Sequence, residues 1–281
     1  MATVKTTNTS QIWSPDVTEF GAEDAIPEAL IVAITTHAAT IEGDAPSITV
    51  PVVTDDAAKI VAEGAEIDEA VPTLSEKSLT TVKIAKLMRL SREQFFHDRA
   101  ADVLADAAAR SIIAKADDVL LNQEVPTPPA THPGPGLIAQ GLTNAGTVAD
   151  DLDVLIDAVS TIRTNGGRPS HIVLSPTAWA SLTKFKVGTG SNQNLLGAGV
   201  STAQNMILGI PVMTNAAVPA NSGLILDRSD IVSAYGAVNV AQSSDAYFTH
   251  DSVALRITFR FGAALVHPNR HCRFVVTDPS L

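Results

Sequence analysis

The chain has 281 residues, 45% of them apolar, which is too many for a disordered chain and enough for a core shared between one large domain and a smaller partner. Its formal net charge of -11 argues against a surface built to hold phosphate backbones, and its single cysteine, Cys272, excludes an intrachain disulfide and an all-cysteine zinc site. No apolar run reaches the ~18 residues of a membrane-spanning helix, and Met1 to Ser10 is polar and Thr-rich rather than a secretory signal, so synthesis in a reducing cytoplasm fits.

Residues 1 to 25 mix Thr, Ser, Asn, Asp and Pro with the lone apolars Ile12, Trp13 and Phe20, and read as an arm with little core of its own. A short helix is predicted over residues 26–42, after Pro27. Ile48, Val50 and Val52 alternate with other residues, which is strand periodicity, and a second alternating run follows at Val82, Ile84, Lys86 and Met88. The polar stretch from Thr54 to Ser78 is therefore predicted to be a hairpin-like excursion between these two strands, of a length that is usually functional. It carries Asp55, Asp56, Glu63, Glu66, Asp68, Glu69 and Glu76 against Lys59 and Lys77, a net of -5. Such a segment is expected to reach away from the body of the protein.

Ser91 and Gln94 have the spacing of a capping box, and helix formers run from there to Asn122. Ala100, Leu104, Ala108, Ile112, Ala116 and Leu120 recur every fourth residue as one apolar ridge, predicting a helix of ~45 Å at ~1.5 Å per residue. Prolines and glycines over residues 125–147 mark a connector without helix or strand. Beyond it helix and strand alternate: a helix over 149–164, a turn at Gly166-Gly167, a strand from His171 to Leu174 and a helix over 176–185. A Gly- and Asn-rich loop over 188–203 leads to strand-like runs at Ile210 to Met213, Gly223 to Leu226 and Ile231 to Ala234. The C-terminal part reads as β, with Leu255, Ile257, Phe259 and Phe261 alternating and a last strand from Cys272 to Val276.

Chemistry-bearing patterns are sparse. Gly188-x-Gly190 lacks the third glycine of a dinucleotide loop, and neither a phosphate-binding lysine loop nor a Gly-x-Ser-x-Gly elbow occurs. His267, His271 and Cys272 are close enough to weigh as a metal site, but Pro268 and the preceding strand favour a polar turn. The pairs Asp55-Asp56, Asp117-Asp118 and Asp150-Asp151 read as structural: the first opens the acidic excursion, the second lies on the solvated face of the long helix, and the third caps a helix start. Basic patches with interleaved aromatics are absent, and aromatics are only 4% of the chain, so nucleic-acid readout has little support. No catalytic, cofactor-binding or metal residue is assigned, and an α/β enzyme is the weakest reading of the middle segment.

The order of certain short motifs resembles one family. Val50-Pro51-Val52, Val61-Ala62-Glu63-Gly64-Ala65-Glu66-Ile67, Val82-Lys83-Ile84-Ala85-Lys86-Leu87 and Leu90-Ser91 with Phe95 and Asp98 are similar to the loop and spine-helix segment of tailed-phage major capsid proteins. Ile172-Val173-Leu174-Ser175-Pro176, Leu208-Gly209-Ile210-Pro211-Val212 and Gly223-Leu224-Ile225-Leu226-Asp227-Arg228-Ser229 resemble the family's axial domain, and Ile257-Thr258-Phe259-Arg260-Phe261-Gly262 with Val266 its closing strands.

The resemblance implies an α+β fold in five parts. These are an N-terminal arm (1–45), an extended β-hairpin loop and its strands (46–90), and a peripheral domain with a long spine helix and connector (91–145). An α/β axial domain (146–240) and C-terminal strands returning to the peripheral domain (241–281) complete it. The implied function is self-assembly into the icosahedral head shell that encloses phage double-stranded DNA, through pentamers and hexamers of the chain itself. The implied place is the virion, after synthesis in the host cytoplasm, with no cofactor, membrane or catalysis. A portal, a decoration protein and a separate scaffolding protein are implied partners, the last because no long charged helical extension precedes the arm. The assembly-loop residues are Glu63, Gly64, Glu66 and Glu69, with Arg92, Arg99, Arg110 and Lys115 on the spine helix as basic counterparts. Lys59 and Lys77 are available for a covalent crosslink, but no Asn partner or catalytic Glu is identified, so that chemistry is not carried over. The alternative is the shell of an encapsulin-like compartment, which shares the fold.

Overall fold

Apolar and polar residues alternating at period two, interrupted by three longer helical stretches, assemble into two six-stranded sheets, one separate two-stranded ribbon and one long helix. The computed structural model describes residues 17–41, 43, 45–54, 60, 61, 64, 73–91, 100–186, 194–196 and 205–277. The chain begins with β1 (Val17–Phe20), the short helices α1 (Ala22–Ala25) and α2 (Leu30–Ile34), and β2 (Thr36–Thr40). It continues through β3 (Ser47–Thr54), β4 (Thr73–Thr80), β5 (Val82–Ser91), α3 (Ala100–Asn122), β6 (Thr143–Val148) and α4 (Asp153–Thr164). Then come β7 (His171–Leu174), α5 (Pro176–Lys184), β8 (Met206–Ile207), β9 (Ile210–Thr214) and β10 (Ser222–Leu226). The chain ends in β11 (Ile231–Tyr235), β12 (Val238–Tyr247), β13 (Ser252–Leu265) and β14 (Cys272–Val276).

The first sheet is organised by β13, the longest strand. β5 lies antiparallel along one flank from Ser252 to Phe261, while β12 and then β11 take the other flank, with β1 and β2 outside them. Alternation sets its two faces: Ile257, Phe259 and Phe261 are buried, whereas Arg256 is exposed. The buried face is covered by α3, whose Ala108, Ile112, Ala116 and Leu120 form the ridge that the every-fourth-residue pattern predicts. The small Ala108 and Ala116 let helix and sheet approach closely, and each fully buried Ile or Phe contributes about 1.5–3 kcal/mol.

The second sheet has the order β6-β14-β10-β7-β9-β8. Its central strands β7 and β10 are apolar on both faces, because both are covered. Ile172, Leu174, Ile225 and Phe274 pack under Leu155 and Ile162 of α4 and Leu182 of α5, while Val173, Leu224 and Leu226 turn to the core shared with α3. Gly223 pairs with Leu174 on one side and Phe274 on the other, and a Cβ there would collide with both side chains. Glycine at this point makes the room that the Phe274 ring occupies.

Several sequence expectations are corrected. The helix over 26–42 is only α2; Thr35 leaves it, its hydroxyl bonded to Ile31 O and to Ser233 Oγ, and the next residues join β11 as the parallel strand β2. The return strand of the excursion is β4, not the run at Val82: β3 pairs with β4 from Ser47–Thr80 to Thr54–Thr73, and Val82–Ser91 pairs with β13. β4 is nearly all polar, so its periodicity is hidden. Ser91 ends β5 opposite Ser252, and the helix start expected after it falls on residues 92–99, which lie outside the described ones. The connector contains β6, which adds in parallel to β14. The C-terminal strands separate, β13 in the first sheet and β14 in the second.

Candidate assembly site

The β3–β4 ribbon belongs to neither large sheet. Its base is anchored where Val50 and Leu79 enter a small core with Ile41, Ala234 and Ala264, and where Thr81 donates its N–H to Pro46 O and its hydroxyl to Ala45 O at 2.9 and 2.6 Å. Towards the tip the burial stops: Leu74 is 73% exposed, and Ile60 and Val61 beyond the ribbon are exposed as well. Gly64 is an exposed turn residue with φ +80°, a conformation glycine adopts without steric penalty. Glu63, Glu66 and Glu69, together with Asp55, Asp56, Lys59 and Asp68, lie outside the described residues, and Gly64 is the assembly-loop residue that the structure places.

Of the proposed basic counterparts, Arg92 and Arg99 also lie outside the described residues, while Arg110 and Lys115 are exposed on α3. Lys115 is engaged at home, its Nζ 2.8 Å from Asp118 Oδ2. Asp117, expected on the solvated face of this helix, is instead buried. It accepts the Leu30 N–H at 2.8 Å and the Asn215 Nδ2–H at 2.7 Å, and so caps α2 from a different helix. Burial pushes its carboxyl above the ordinary range despite these bonds. Asp151 does help start a helix, accepting the Asp153 N–H at 3.1 Å.

The cluster that sequence reading missed surrounds Asp230. Two short crossings join the sheets, from β10 to β11 through Asp227–Asp230 and from β13 to β14 through Val266–His271, and Asp230 ties them together. Its carboxylate, 4% exposed, accepts the His267 N–H at 2.8 Å and meets His267 Nδ1 at 2.6 Å, His271 Nε2 at 3.1 Å and Arg270 Nη1 at 3.3 Å. The Asp227 N–H donates to His271 Nδ1 at 3.3 Å, so Nε2 is the nitrogen that donates to Asp230. Burial alone raises the Asp230 carboxyl, but the bonds from His271 and His267 outweigh it and hold the group below its ordinary value. His267 and His271 are thus the polar turn expected of them, yet organised by a carboxylate about forty residues away in sequence, for which no local pattern exists. Cys272 turns from them towards α4, its Sγ 3.9 Å from Ala158 O, and burial raises its thiol to about 11. Among the described residues no group of three or more His, Cys, Asp or Glu is placed to hold a metal ion.

Ribbon, long helix and paired sheets together are those of a shell subunit. The model of the phage capsid family matches residues 31–274, and the chain belongs to that family. A chain from Gordonia phage Cozz is similar over 96% of this chain and 90% of its own, at 18% identity and a TM-score of 0.67. One from Microbacterium phage Oxtober96 is similar over 99% and 96%, at 17% identity and a TM-score of 0.66. A structure described as the capsid of a native GTA particle, computed with C5 symmetry, is similar over 88% of this chain and 89% of its own, at 14% identity and a TM-score of 0.65. No curated protein matches the chain. The protein is a major capsid protein of the tailed-phage shell fold, a structural subunit of the icosahedral phage head, and the compartment-shell alternative is not favoured. Among the described residues no helix is long and apolar enough to cross a membrane.

Proposed function

We propose that copies of this chain close into the head shell as pentamers and hexamers, and that the β3–β4 ribbon with its acidic segment is the clamp each copy lays on its neighbour. The observation that carries this reading is the ribbon itself. It is built as regular structure, rooted in a small core, and ends in exposed Leu74, Ile60 and Val61, which its own chain leaves in water. Glu63, Gly64, Glu66 and Glu69 form the charged contact in this reading, with Gly64 supplying the turn. The second sheet with α4 and α5 serves as the axial body at the capsomer centre, and the first sheet with α3 as the peripheral body. A separate scaffolding protein, a portal and a decoration protein are the further partners, double-stranded DNA is the content, synthesis takes place in the host cytoplasm, and no turnover is expected.

The test is to reverse Glu63, Glu66 and Glu69 to Lys and follow assembly by light scattering, with electron microscopy of the product. Exposed ion pairs are worth only about 0–1 kcal/mol each, but a shell repeats them at every subunit. Screening shortens to about 3 Å at 1 M salt. The clamp predicts impaired assembly at low salt and partial recovery at high salt; wild-type rates at low salt would sink it.

A further inference from the structure

The second sheet is held to the rest of the molecule at both ends of its central strands. β7 and β10 run antiparallel, with Leu174 beside Gly223 at one end and His171 beside Leu226 at the other. At the Leu174 end the Asn215 N–H donates to Leu174 O at 2.9 Å, and the Asn215 side chain donates to Asp117 Oδ2 on α3 at 2.7 Å. Asn122 of α3 donates to Ala217 O in the same loop at 2.7 Å. At the His171 end lies the Asp230 junction. There the Ser170 N–H donates to Leu226 O at 2.9 Å and the Arg168 N–H to Asp227 Oδ2 at 2.6 Å. Asp230 carries the junction to the second crossing, since its carbonyl also accepts the Val266 N–H at 3.0 Å, one residue past the end of β13. Arg270 extends it to the turn after α4, its Nε–H donating to Asn165 O at 3.0 Å.

We propose that the Asp230 junction is one of two fixed points that set the angle between the two sheets, and that this angle sets the curvature of the shell into which the subunits close. The inference rests on the shell reading above and adds the residues that decide the shell's diameter. The junction is built to hold one geometry. Oδ1 of Asp230 meets His267 Nδ1 and Arg270 Nη1, and Oδ2 meets the His267 N–H and His271 Nε2, so the roughly four acceptor positions of the carboxylate are all occupied. A buried polar network that is fully satisfied in this way is rigid and specifies a single arrangement.

Apolar packing does not do this by itself. The core that α3 shares with both sheets keeps them in contact, but apolar burial follows area and has no direction, so it resists separation more than rotation. Hydrogen bonds weaken steeply as their angle closes. The attachment of the Asn215 loop to α3 would, alone, be a pivot. The Asp230 junction lies at the opposite end of β10, ~16 Å away for five residues of extended strand. Two directional holds at that separation remove the swing of one sheet against the other. Asn in place of Asp230 keeps the size but turns one acceptor oxygen into an NH2 group that faces two of the donors, which opens the second hold and leaves the pivot. In a closed shell the same angle recurs in every copy, so a small angular spread per subunit becomes a spread of diameters.

Spin labels read the angle in the unassembled subunit, before any shell forms. Exposed Arg256 on β13 and Arg163 on α4 are both changed to Cys and labelled in the full chain; Cys272 is buried and does not compete. The expected result is one narrow distance in this parent and a broad distribution once Asp230→Asn is added. Val159→Ala or Leu155→Ala, whichever matches Asp230→Asn in unfolding midpoint, is the control, since both loosen the core of the second sheet away from the two holds. An unchanged width in Asp230→Asn, or equal broadening in the control, would overturn the fixed point. Electron microscopy of the unlabelled proteins then reads the shells. Wild type and control should give a single diameter, and Asp230→Asn several, with tubes and open sheets counted among them. Folded Asp230→Asn subunits that close at the single wild-type diameter, or that no longer associate, would overturn the link to curvature, because a freed angle changes how contacts curve and not whether they form. Failure of the wild type to form shells tells against the shell reading instead, and the spin-label distance still decides the junction. If Asp230→Asn does not fold, Arg270→Lys, which takes only the guanidinium from the junction, is measured in the same two ways.

Discussion

The second sheet and the β3–β4 ribbon are both β-structure, yet they solve opposite problems. In the second sheet the central strand His171–Leu174 has hydrogen-bonded partners on both sides and helices or core on both faces. In the ribbon each strand has one partner, and its apolar residues pass from buried Leu79 at the base to exposed Leu74 at the tip. The sheet is finished within one chain. The ribbon is not, since an isolated two-stranded hairpin is marginal in water and gains stability only by packing on something else. In the clamp reading proposed above, the body is rigid before assembly and the ribbon's missing partner is supplied by assembly.

The contrast can be broken by placing similar losses in the two regions. Phe274→Ala in the second sheet should cost about 3–5 kcal/mol, because the ring fills the space beside Gly223 and leaves a cavity when removed. Thermal unfolding of the unassembled subunit measures it, and a change below 1 kcal/mol would mean the sheet repacks freely.

Asp230 sharpens the comparison one step down, since it joins the two finished bodies. A carboxyl held below its ordinary value stabilises the fold fully above the unfolded value of ~3.9 and loses that contribution as pH falls through the folded value. Asp230→Asn should therefore be the less stable protein near neutral pH, by an order of 1–3 kcal/mol, and the gap to wild type should close below about pH 4. Denaturant midpoints across pH test the sign; a gap that widens in acid would contradict it. The smallest effect on stability should come from Leu74→Ser at the ribbon tip, within about 0.5 kcal/mol for the unassembled chain. The same change should reduce shell yield, and equal losses in stability and assembly would erase the distinction between the two regions.

Much of the second sheet was legible from sequence. The strands His171–Leu174 and Cys272–Val276 and the helix that Ser175 caps are local patterns of apolar runs, a cap and a proline at the first turn. The buried ridge of α3 from Ala108 to Leu120 is equally local, since i to i+4 spacing places residues on one face whatever they pack against. The acidic character of residues 55–69 and the existence of an excursion also follow from composition alone. Only tertiary structure decided which strands pair. β4 has little hydrophobic signature because Leu74, Ser75, Glu76 and Ser78 are exposed and Leu79 at its base is the buried one, and β5 runs on to Ser91 because its ladder partner is β13, far along the chain. Asp117 and Asp230 look like solvated carboxylates in sequence and are buried, because their donors come from Leu30, Asn215, His267 and His271, groups that only the folded chain brings within hydrogen-bonding distance.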